Sequence, residues 1–169
     1  MKTLTVALPG REYNIQIGRG LLTRAGEEVR AVLPGASRIF VVTDSHVAPL
    51  YLERVRASLE RAGFRVTAHT VPAGEGSKCP ARLAELWEAM MAAGLTRTDA
   101  VAALGGGVVG DLAGFAAATI LRGVDFVQIP TTLLAQVDSS VGGKVAVDLE
   151  HGKNLAGAFW QPRLVLMDP

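Results

Sequence analysis

The chain has 169 residues with 17 basic and 16 acidic side chains, a net charge of +1. Such a balance argues against nucleic-acid or membrane partners held by bulk electrostatic attraction, and one cysteine excludes an internal disulfide framework. Apolar residues make up 49% and aromatic residues 5%, which favours a single α/β domain with a buried parallel sheet. Because we find no signal peptide and no spanning run, we expect a cytoplasmic protein.

The first part of the chain alternates predicted strands and helices. Two alternating segments around Pro9-Gly10 predict an N-terminal β-hairpin. Pro34-Gly35 and Gly63 then end two helical patterns. The predicted elements are, in order, strands 4–8 and 13–17, a helix over 21–32, a strand over 38–44, a helix over 47–62 and a strand over 64–69.

The second part continues this alternation. It comprises a loop over 71–79, a helix from 80 that Gly94 ends, a strand over 100–104, a helix reaching about 120, and strands over 126–129 and 164–167. Strands that alternate with helices predict right-handed crossovers and a Rossmann-like parallel sheet with flanking helices. Because a buried-type strand closes the chain at Asp168-Pro169, we expect a truncated chain or one without its second half.

A glycine turn joins a predicted strand to a predicted helix. Gly105, Gly107 and Gly110 have the spacing of the dinucleotide fingerprint, in which a helix N-terminus receives a pyrophosphate. The turn follows a late strand, and no clear acid lies about 20 residues further on. Asp44 is the alternative candidate for a ribose contact, although it could equally cap a helix. Asp111 could accept a hydrogen bond from a ribose hydroxyl, or its carboxylate could simply interact favourably with the helix dipole.

Three of the four lysines lie in stretches that read as glycine-rich loops. Lys78, Lys144 and Lys153 each have glycine neighbours in a chain that otherwise uses arginine. Lysine supplies a mobile point charge, so the set indicates sites for phosphates or a carboxylate rather than solvated loops. Thr131 and Thr132 end a strand where α/β sheets bind ligands, and Asp138 could face the same crevice. Capping is the alternative for these three residues.

The combined motifs resemble the 3-dehydroquinate synthase family. The residues that carry the resemblance are 74–78, 105–111, 122–124, 128–144 and 152–162. It implies an NAD-dependent enzyme that converts 3-deoxy-D-arabino-heptulosonate 7-phosphate to 3-dehydroquinate and phosphate in the shikimate pathway. The family's chemistry is transient oxidation, phosphate elimination, re-reduction and ring closure. His46 departs from the asparagine that many members have near the adenosine site.

The resemblance also implies roles for individual residues. Substrate-side roles fall on Arg122, Asp138, Lys144, Lys153 and Asn154, and Arg122 is expected to reach a neighbouring subunit of a homodimer. The implied NAD contacts are Asp44, Gly74, Glu75, Gly76, Ser77, Lys78, Gly106, Gly107, Val108, Val109, Gly110, Asp111, Thr131, Thr132, Lys144 and Lys153.

The family's metal ligands are expected outside this chain. Family members are about twice as long, and their zinc or cobalt is bound by a glutamate and two histidines in a helical half downstream. His46, His69 and His151 share no metal-ligand spacing. We therefore interpret residues 1–169 as one NAD-binding domain that is inactive alone. Alternatives are a 2-deoxy-scyllo-inosose or valiolone-type synthase, a non-catalytic nucleotide-binding module, or a fragment without function.

Overall fold

The computed structural model describes all 169 residues and contains nine strands and four α-helices. The strands are β1 Lys2–Val6, β2 Tyr13–Ile17, β3 Arg38–Asp44, β4 Arg65–Val71, β5 Ala100–Gly105, β6 Asp125–Pro130, β7 Lys144–Leu149, β8 Gly152–Phe159 and β9 Leu164–Met167. The helices are α1 Leu21–Val32, α2 Glu53–Arg61, α3 Pro80–Ala92 and α4 Gly107–Thr119.

Seven strands form one sheet in the order β1-β2-β9-β6-β5-β3-β4. All neighbours are parallel except β1 and β2, which form the predicted N-terminal hairpin. The Rossmann-like parallel sheet with flanking helices is therefore confirmed. The chain runs from β3 outward to β4 and returns to β5 on the other side of β3. This reversal of strand order lies between β3 and β5, and it marks the crevice where such sheets bind ligands.

Both faces of the sheet are buried at its centre, because residues 39–42 of β3 and 100–104 of β5 are apolar at every position. Ile39 and Val41 pack towards α1 and α2, whereas Phe40 and Val42 pack towards α3 and α4. This explains the continuous apolar runs that replace the alternation of a half-exposed strand. Asp44 is half-buried at the end of this run, where the core gives way to the ligand-binding edge.

The prediction that Lys144 and Lys153 lie in loops is wrong. They lie on β7 and β8, which pair antiparallel as a separate two-stranded sheet. The inward residues Val145 and Val147 are buried against α4, so the alternate position Lys144 is exposed. Gly114 permits this close packing, since a Cβ there would lie 2.3 Å from Val145 Cγ1.

The predicted helix over 47–62 has two parts. Ala48–Leu52 forms one π-helical turn with Pro49 at its start, and the regular helix α2 begins at Glu53. The predicted helix over 21–32 is confirmed at both ends. None of the helices combines the length and the apolar character that crossing a bilayer requires.

Candidate functional site

The candidate site lies at the carboxyl edge of the parallel sheet, where four connections meet. Asp44 pairs with Val71, so the end of β3 lies beside the loop that follows β4. Gly105 pairs with Pro130, so the glycine turn after β5 lies beside the threonines that follow β6. Parallel pairing thus brings together segments that are far apart in the sequence.

The glycine turn leaves the N-terminus of α4 without a side-chain cap. The first N–H groups of any helix have no helical acceptor, and here no neighbouring side chain replaces it. A Cβ at Gly106 would lie 3.2 Å from Thr132 Cγ2, and one at Gly107 would lie 3.1 Å from Ser139 Oγ. Glycine at both positions therefore lets another segment approach the uncapped end closely.

Two hydroxyl groups beside this turn have no hydrogen-bond partner. Thr131 Oγ1 and Ser139 Oγ are both buried and unpaired, and each such group costs free energy until it gains a partner. Thr132 differs, because its Oγ1 accepts the N–H of Ala135 at 3.2 Å. The capping alternative is thus confirmed for Thr132. Free helix N–H groups together with unpaired hydroxyls fit a ligand with a diphosphate and ribose hydroxyls.

Lys78 lies at the centre of a charged cluster, with its side chain only 6% exposed. Its Nζ lies 3.2 Å from a carboxylate oxygen of both Glu75 and Asp111, and 3.8 Å from Asp148 Oδ1. It also donates to Asn154 Oδ1 at 2.7 Å. The alternative of a solvated loop lysine is therefore wrong for Lys78. The loop after β4, Asp111 of α4 and the β7–β8 hairpin all meet at this ammonium group.

Burial disfavours the charged form of both Lys78 and Asp111, but the outcome differs between them. For Lys78, burial is outweighed by hydrogen bonds and attraction from Asp111 and Glu75, so its pKa lies above the ordinary value. For Asp111, burial prevails over the attraction of Lys78, and Glu75 and Asp148 add repulsion, so its pKa is also raised. One ammonium group shared by three carboxylates cannot compensate each of them fully.

A cleft of about 430 Å³ borders this cluster. It brings together four residues that the sequence predicted for the site, namely Asp111, Asp138, Lys144 and Asn154. Phe159 and other apolar residues of the hairpin form one wall. A cleft with two acids, a cation and an amide among apolar residues can orient a small polar molecule through directed hydrogen bonds.

Three predicted residues stand apart from the cleft. Asp44 Oδ1 accepts the N–H of His46 at 2.8 Å and of Val47 at 3.0 Å, so its carboxylate is engaged by the turn that precedes Ala48–Leu52, whose own N-cap is Val47. Arg122 is exposed beyond the far end of α4, at the opposite edge of the sheet from the glycine turn. Lys153 is 71% exposed, and its Nζ lies 3.4 Å from Glu75 Oε1.

The remaining predicted positions line the glycine turn and the loop after β4. Gly74 has a positive φ of 110°, and Ser77 is buried with its hydroxyl donating to the carbonyl of Pro72. Val109 is buried in the core, and a Cβ at Gly110 would lie 2.8 Å from Gln128 Oε1. Val109 and Gly110 thus serve packing of α4 against the sheet. The rest of this set, Gly76 and Val108, flanks the same two segments.

The sequence reasoning missed Asp148 and Ser139. The alternation of Val145 and Val147 would have predicted a strand, and Asp148 follows on the opposite face to these buried residues. Nothing in the sequence marks Ser139 over its neighbour Ser140. The structure contains no group of three or more histidine, cysteine, aspartate or glutamate residues arranged to bind a metal ion.

The fold and the glycine turn define the chain as a doubly wound α/β domain. The sequence profile of the family described as 3-dehydroquinate synthase N-terminal matches residues 68–169. The chain belongs to the 3-dehydroquinate synthase family.

Comparison with known proteins agrees with this assignment. The chain is 57% identical over 168 residues to the 3-dehydroquinate synthase of Caulobacter vibrioides, covering 99% of this chain and 45% of the relative. It is 53% identical to that of Latilactobacillus sakei, covering 100% and 47%. The chain thus spans about half the length of the curated relatives it matches. A crystal structure of 2-deoxy-scyllo-inosose synthase with carbaglucose-6-phosphate, NAD⁺ and Co²⁺ superposes with a TM-score of 0.90 at 30% identity, covering 99% of this chain and 46% of that one.

Proposed function

We propose that residues 1–169 form the NAD-binding domain of a 3-dehydroquinate synthase. The proposed reaction converts 3-deoxy-D-arabino-heptulosonate 7-phosphate to 3-dehydroquinate and phosphate. The observation that carries the proposal is the uncapped N-terminus of α4 beside the unpaired hydroxyls of Thr131 and Ser139. This arrangement lies where the strand order reverses, which is the usual position of a dinucleotide in doubly wound sheets.

The residues fall into two groups in this proposal. The α4 N–H groups with Thr131 would hold the diphosphate, while Glu75, Lys78 and Asp111 would bind ribose and nearby polar groups. When bound, NAD⁺ supplies a hydride acceptor. Asp138, Lys144 and Asn154 line the adjoining cleft and would orient the substrate's hydroxyl and carboxylate groups. The apolar wall of the cleft would limit the access of water to the substrate.

Catalysis is proposed to need a divalent metal as well. Metal polarisation of the reacting hydroxyl is part of the chemistry that the family resemblance implies, and this chain has no cluster suited to bind the ion. We therefore expect the 169-residue chain to bind NAD⁺ without turning over substrate. Release of phosphate from the heptulosonate phosphate by the purified chain would contradict this expectation.

Calorimetric titration of NAD⁺ tests the binding proposal directly, with NADP⁺ as the matched control ligand. Saturable binding of one NAD⁺ per chain, and weaker binding of NADP⁺, is the expected result. Circular dichroism establishes first that the chain is folded. A folded chain that binds neither dinucleotide would overturn the proposal that residues 1–169 contain a complete nucleotide site.

A second candidate is 2-deoxy-scyllo-inosose synthase activity, which the close superposition of that enzyme favours. Sequence identity favours the first candidate, with 57% to a 3-dehydroquinate synthase against 30% to the inosose synthase. Assaying a full-length protein that contains this domain on both sugar phosphates separates the two. If the full-length protein binds NAD⁺ but converts neither sugar phosphate, a non-catalytic nucleotide-binding module becomes the better description.

We also propose a homodimer in the cytoplasm. The exposed position of Arg122, remote from its own cleft, is compatible with a role in a neighbouring subunit's site. Sedimentation equilibrium tests the dimer, and the Arg122→Ala variant tests the role. In a full-length dimer, mixing this variant with a cleft variant such as Asp138→Ala should restore part of the activity, because mixed dimers contain one intact site.

A further inference from the structure

Asp148 lies at an irregular point of the β7–β8 hairpin. Val147 pairs with Ala156 and Leu149 pairs with Gly152, so Asp148 alone faces residues 153–155 of β8. A bulge of this kind interrupts the regular alternation and re-aims side chains, and such bulges are frequent beside active sites. The bulged residues include Asn154, which lines the cleft.

Asp148 contacts both partners of the hydrogen bond between Lys78 and Asn154. Its Oδ1 accepts the backbone N–H of Asn154 at 2.8 Å and lies 3.8 Å from Lys78 Nζ. Its own N–H donates to the carbonyl oxygen of Lys78 at 2.9 Å. The side chain of Asp148 thus fixes the main chain of Asn154, and the backbone of Asp148 fixes the main chain of Lys78.

The conformation of Asn154 explains why it needs this support. Its φ is 57°, in the left-handed region that costs most residues free energy and that asparagine tolerates better than most. A bulge also removes a backbone N–H from the regular ladder, so that this group requires another acceptor. The carboxylate of Asp148 is that acceptor, and bonds to a charged acceptor are stronger than neutral ones.

The charge of Asp148 is maintained by the same contact. The N–H of Asn154 holds the pKa of Asp148 below its ordinary value, and the nearby Lys78 and Lys153 lower it further. Asp148 is therefore ionised at neutral pH, and its carboxylate contributes to the negative surroundings that keep Lys78 charged.

We propose that Asp148 is a positioning residue that holds Asn154 in its left-handed conformation and Lys78 in the charged cluster, so that both side chains are ordered before any ligand binds. Its effect on cofactor affinity rests on the proposed function, whereas its effect on Asn154 does not. Asp148 is not itself a cofactor contact in this proposal.

Two variants distinguish positioning from simple support of the hairpin. Asp148→Asn keeps an oxygen that can accept the Asn154 N–H, and Asp148→Ala removes it; Glu150→Ala, an exposed acid two residues further on, is the matched control. In NMR of the cofactor-free chain, Asp148→Ala should move the Asn154 backbone shifts out of the left-handed range. In the same variant the amide hydrogen of Asn154 should exchange with solvent about tenfold faster, because its hydrogen bond to a charged acceptor is lost. Asp148→Asn should preserve both signals.

The same three variants are then titrated with NAD⁺. Asp148→Ala should weaken the affinity about tenfold, Asp148→Asn less than about threefold, and Glu150→Ala not at all. Unchanged Asn154 shifts in Asp148→Ala would overturn the proposal, as would equal affinity losses in Asp148→Asn and Asp148→Ala. If the unmodified chain binds no NAD⁺, the proposed function fails while the Asn154 signals still decide the role of Asp148. If Asp148→Ala does not fold, loss of the left-handed Asn154 signals in Asp148→Asn overturns the proposal.

Discussion

Lys78 Nζ donates a hydrogen bond to Asp111 Oδ2 at 3.2 Å, joining the loop after β4 to the N-terminal half of α4. The two residues are 33 positions apart in the sequence. The ammonium group faces three carboxylates, so its removal leaves like charges close together without a counterion. The charged cluster around Lys78 therefore holds separate segments of the chain together and also supplies charged groups to the candidate site.

The Lys78→Met variant keeps an unbranched side chain that is one atom shorter and removes its charge. It should destabilise the chain by about 1–3 kcal/mol, because Asp111 loses its hydrogen-bond donor and stays partly buried. It should also abolish measurable NAD⁺ binding. Urea unfolding and calorimetry measure the two effects, with Lys2→Met, an exposed lysine on β1, as the control. An unfolding midpoint equal to that of the unmodified chain would contradict the proposed structural role of Lys78.

The hydrogen bonds to the buried carboxylate of Asp99 predict that the chain loses stability in acid. Burial alone would raise its pKa, but hydrogen bonds from Thr96, Arg38 and Ser37 outweigh burial, and the pKa lies below its ordinary value. Because the folded pKa is lower than the unfolded one, the stabilisation is fully present above the unfolded pKa of about 3.9 and disappears as the pH falls through the folded pKa.

The Asp99→Asn variant tests this pH dependence. Its free energy of unfolding should fall by about 1–3 kcal/mol at neutral pH, since an amide cannot accept all these hydrogen bonds. The difference from the unmodified chain should shrink below about pH 4. Urea unfolding at several pH values measures it, and the half-exposed Asp125, changed to Asn, is the control that should show little effect. A difference that is constant with pH would exclude Asp99 as the titrating group.

Gly114 should not tolerate a side chain. A Cβ there would lie 2.3 Å from Val145 Cγ1 and 3.0 Å from Phe126, so Gly114→Ala must push β7 away from α4. We expect a loss of about 1–3 kcal/mol in thermal or urea unfolding, typical of an overfilled core. Gly35→Ala is the matched control, because a Cβ at Gly35 meets no atom within 4 Å and its φ is not positive. Equal stabilities of the two variants would contradict the tight packing of the hairpin on α4.

Local sequence patterns were sufficient for the main sheet and its helices, but they were insufficient for the hairpin that covers α4. The helix over 21–32 and the strand over 38–44 were predictable because strong apolar periodicity and clear stop signals coincide there. The β7–β8 hairpin was missed because its inward residues on β8 are alanines, which give a weak alternating signal, and because glycines flank both lysines. Its pairing is decided by packing on α4, which no local pattern reports.

The site was predictable in its members but not in its organisation. The glycine turn has a recognisable spacing, and Asp138, Lys144 and Asn154 do meet in one cleft. The burial of Lys78 could not be inferred, since its partners Asp111 and Asp148 come from other elements of the chain. A lysine among glycine and serine looks solvated until tertiary structure places carboxylates around it.

Ser139 offers a prediction in which stability and affinity move in opposite directions. Its Oγ is buried without a partner in the cofactor-free chain and lies beside Gly107 at the uncapped end of α4. Replacing an unpaired buried hydroxyl by hydrogen removes a desolvation penalty, so Ser139→Ala should leave the free energy of unfolding unchanged or raise it by up to about 1 kcal/mol. If this hydroxyl donates to the cofactor, the same variant should weaken NAD⁺ binding by about three- to tenfold.

Unfolding in urea and calorimetry with NAD⁺ on the same preparations measure both quantities. Thr132→Val is the matched control, because the Thr132 hydroxyl is already paired as a cap to Ala135. That variant should lose about 0.5–2 kcal/mol of stability, as expected for a lost cap. A general disturbance of the fold lowers stability and affinity together. It therefore does not explain a Ser139→Ala variant whose stability is unchanged or higher while its affinity for NAD⁺ is lower. A Ser139→Ala chain that is less stable and binds NAD⁺ with unchanged affinity would show that the hydroxyl has a structural partner and no role in the nucleotide site.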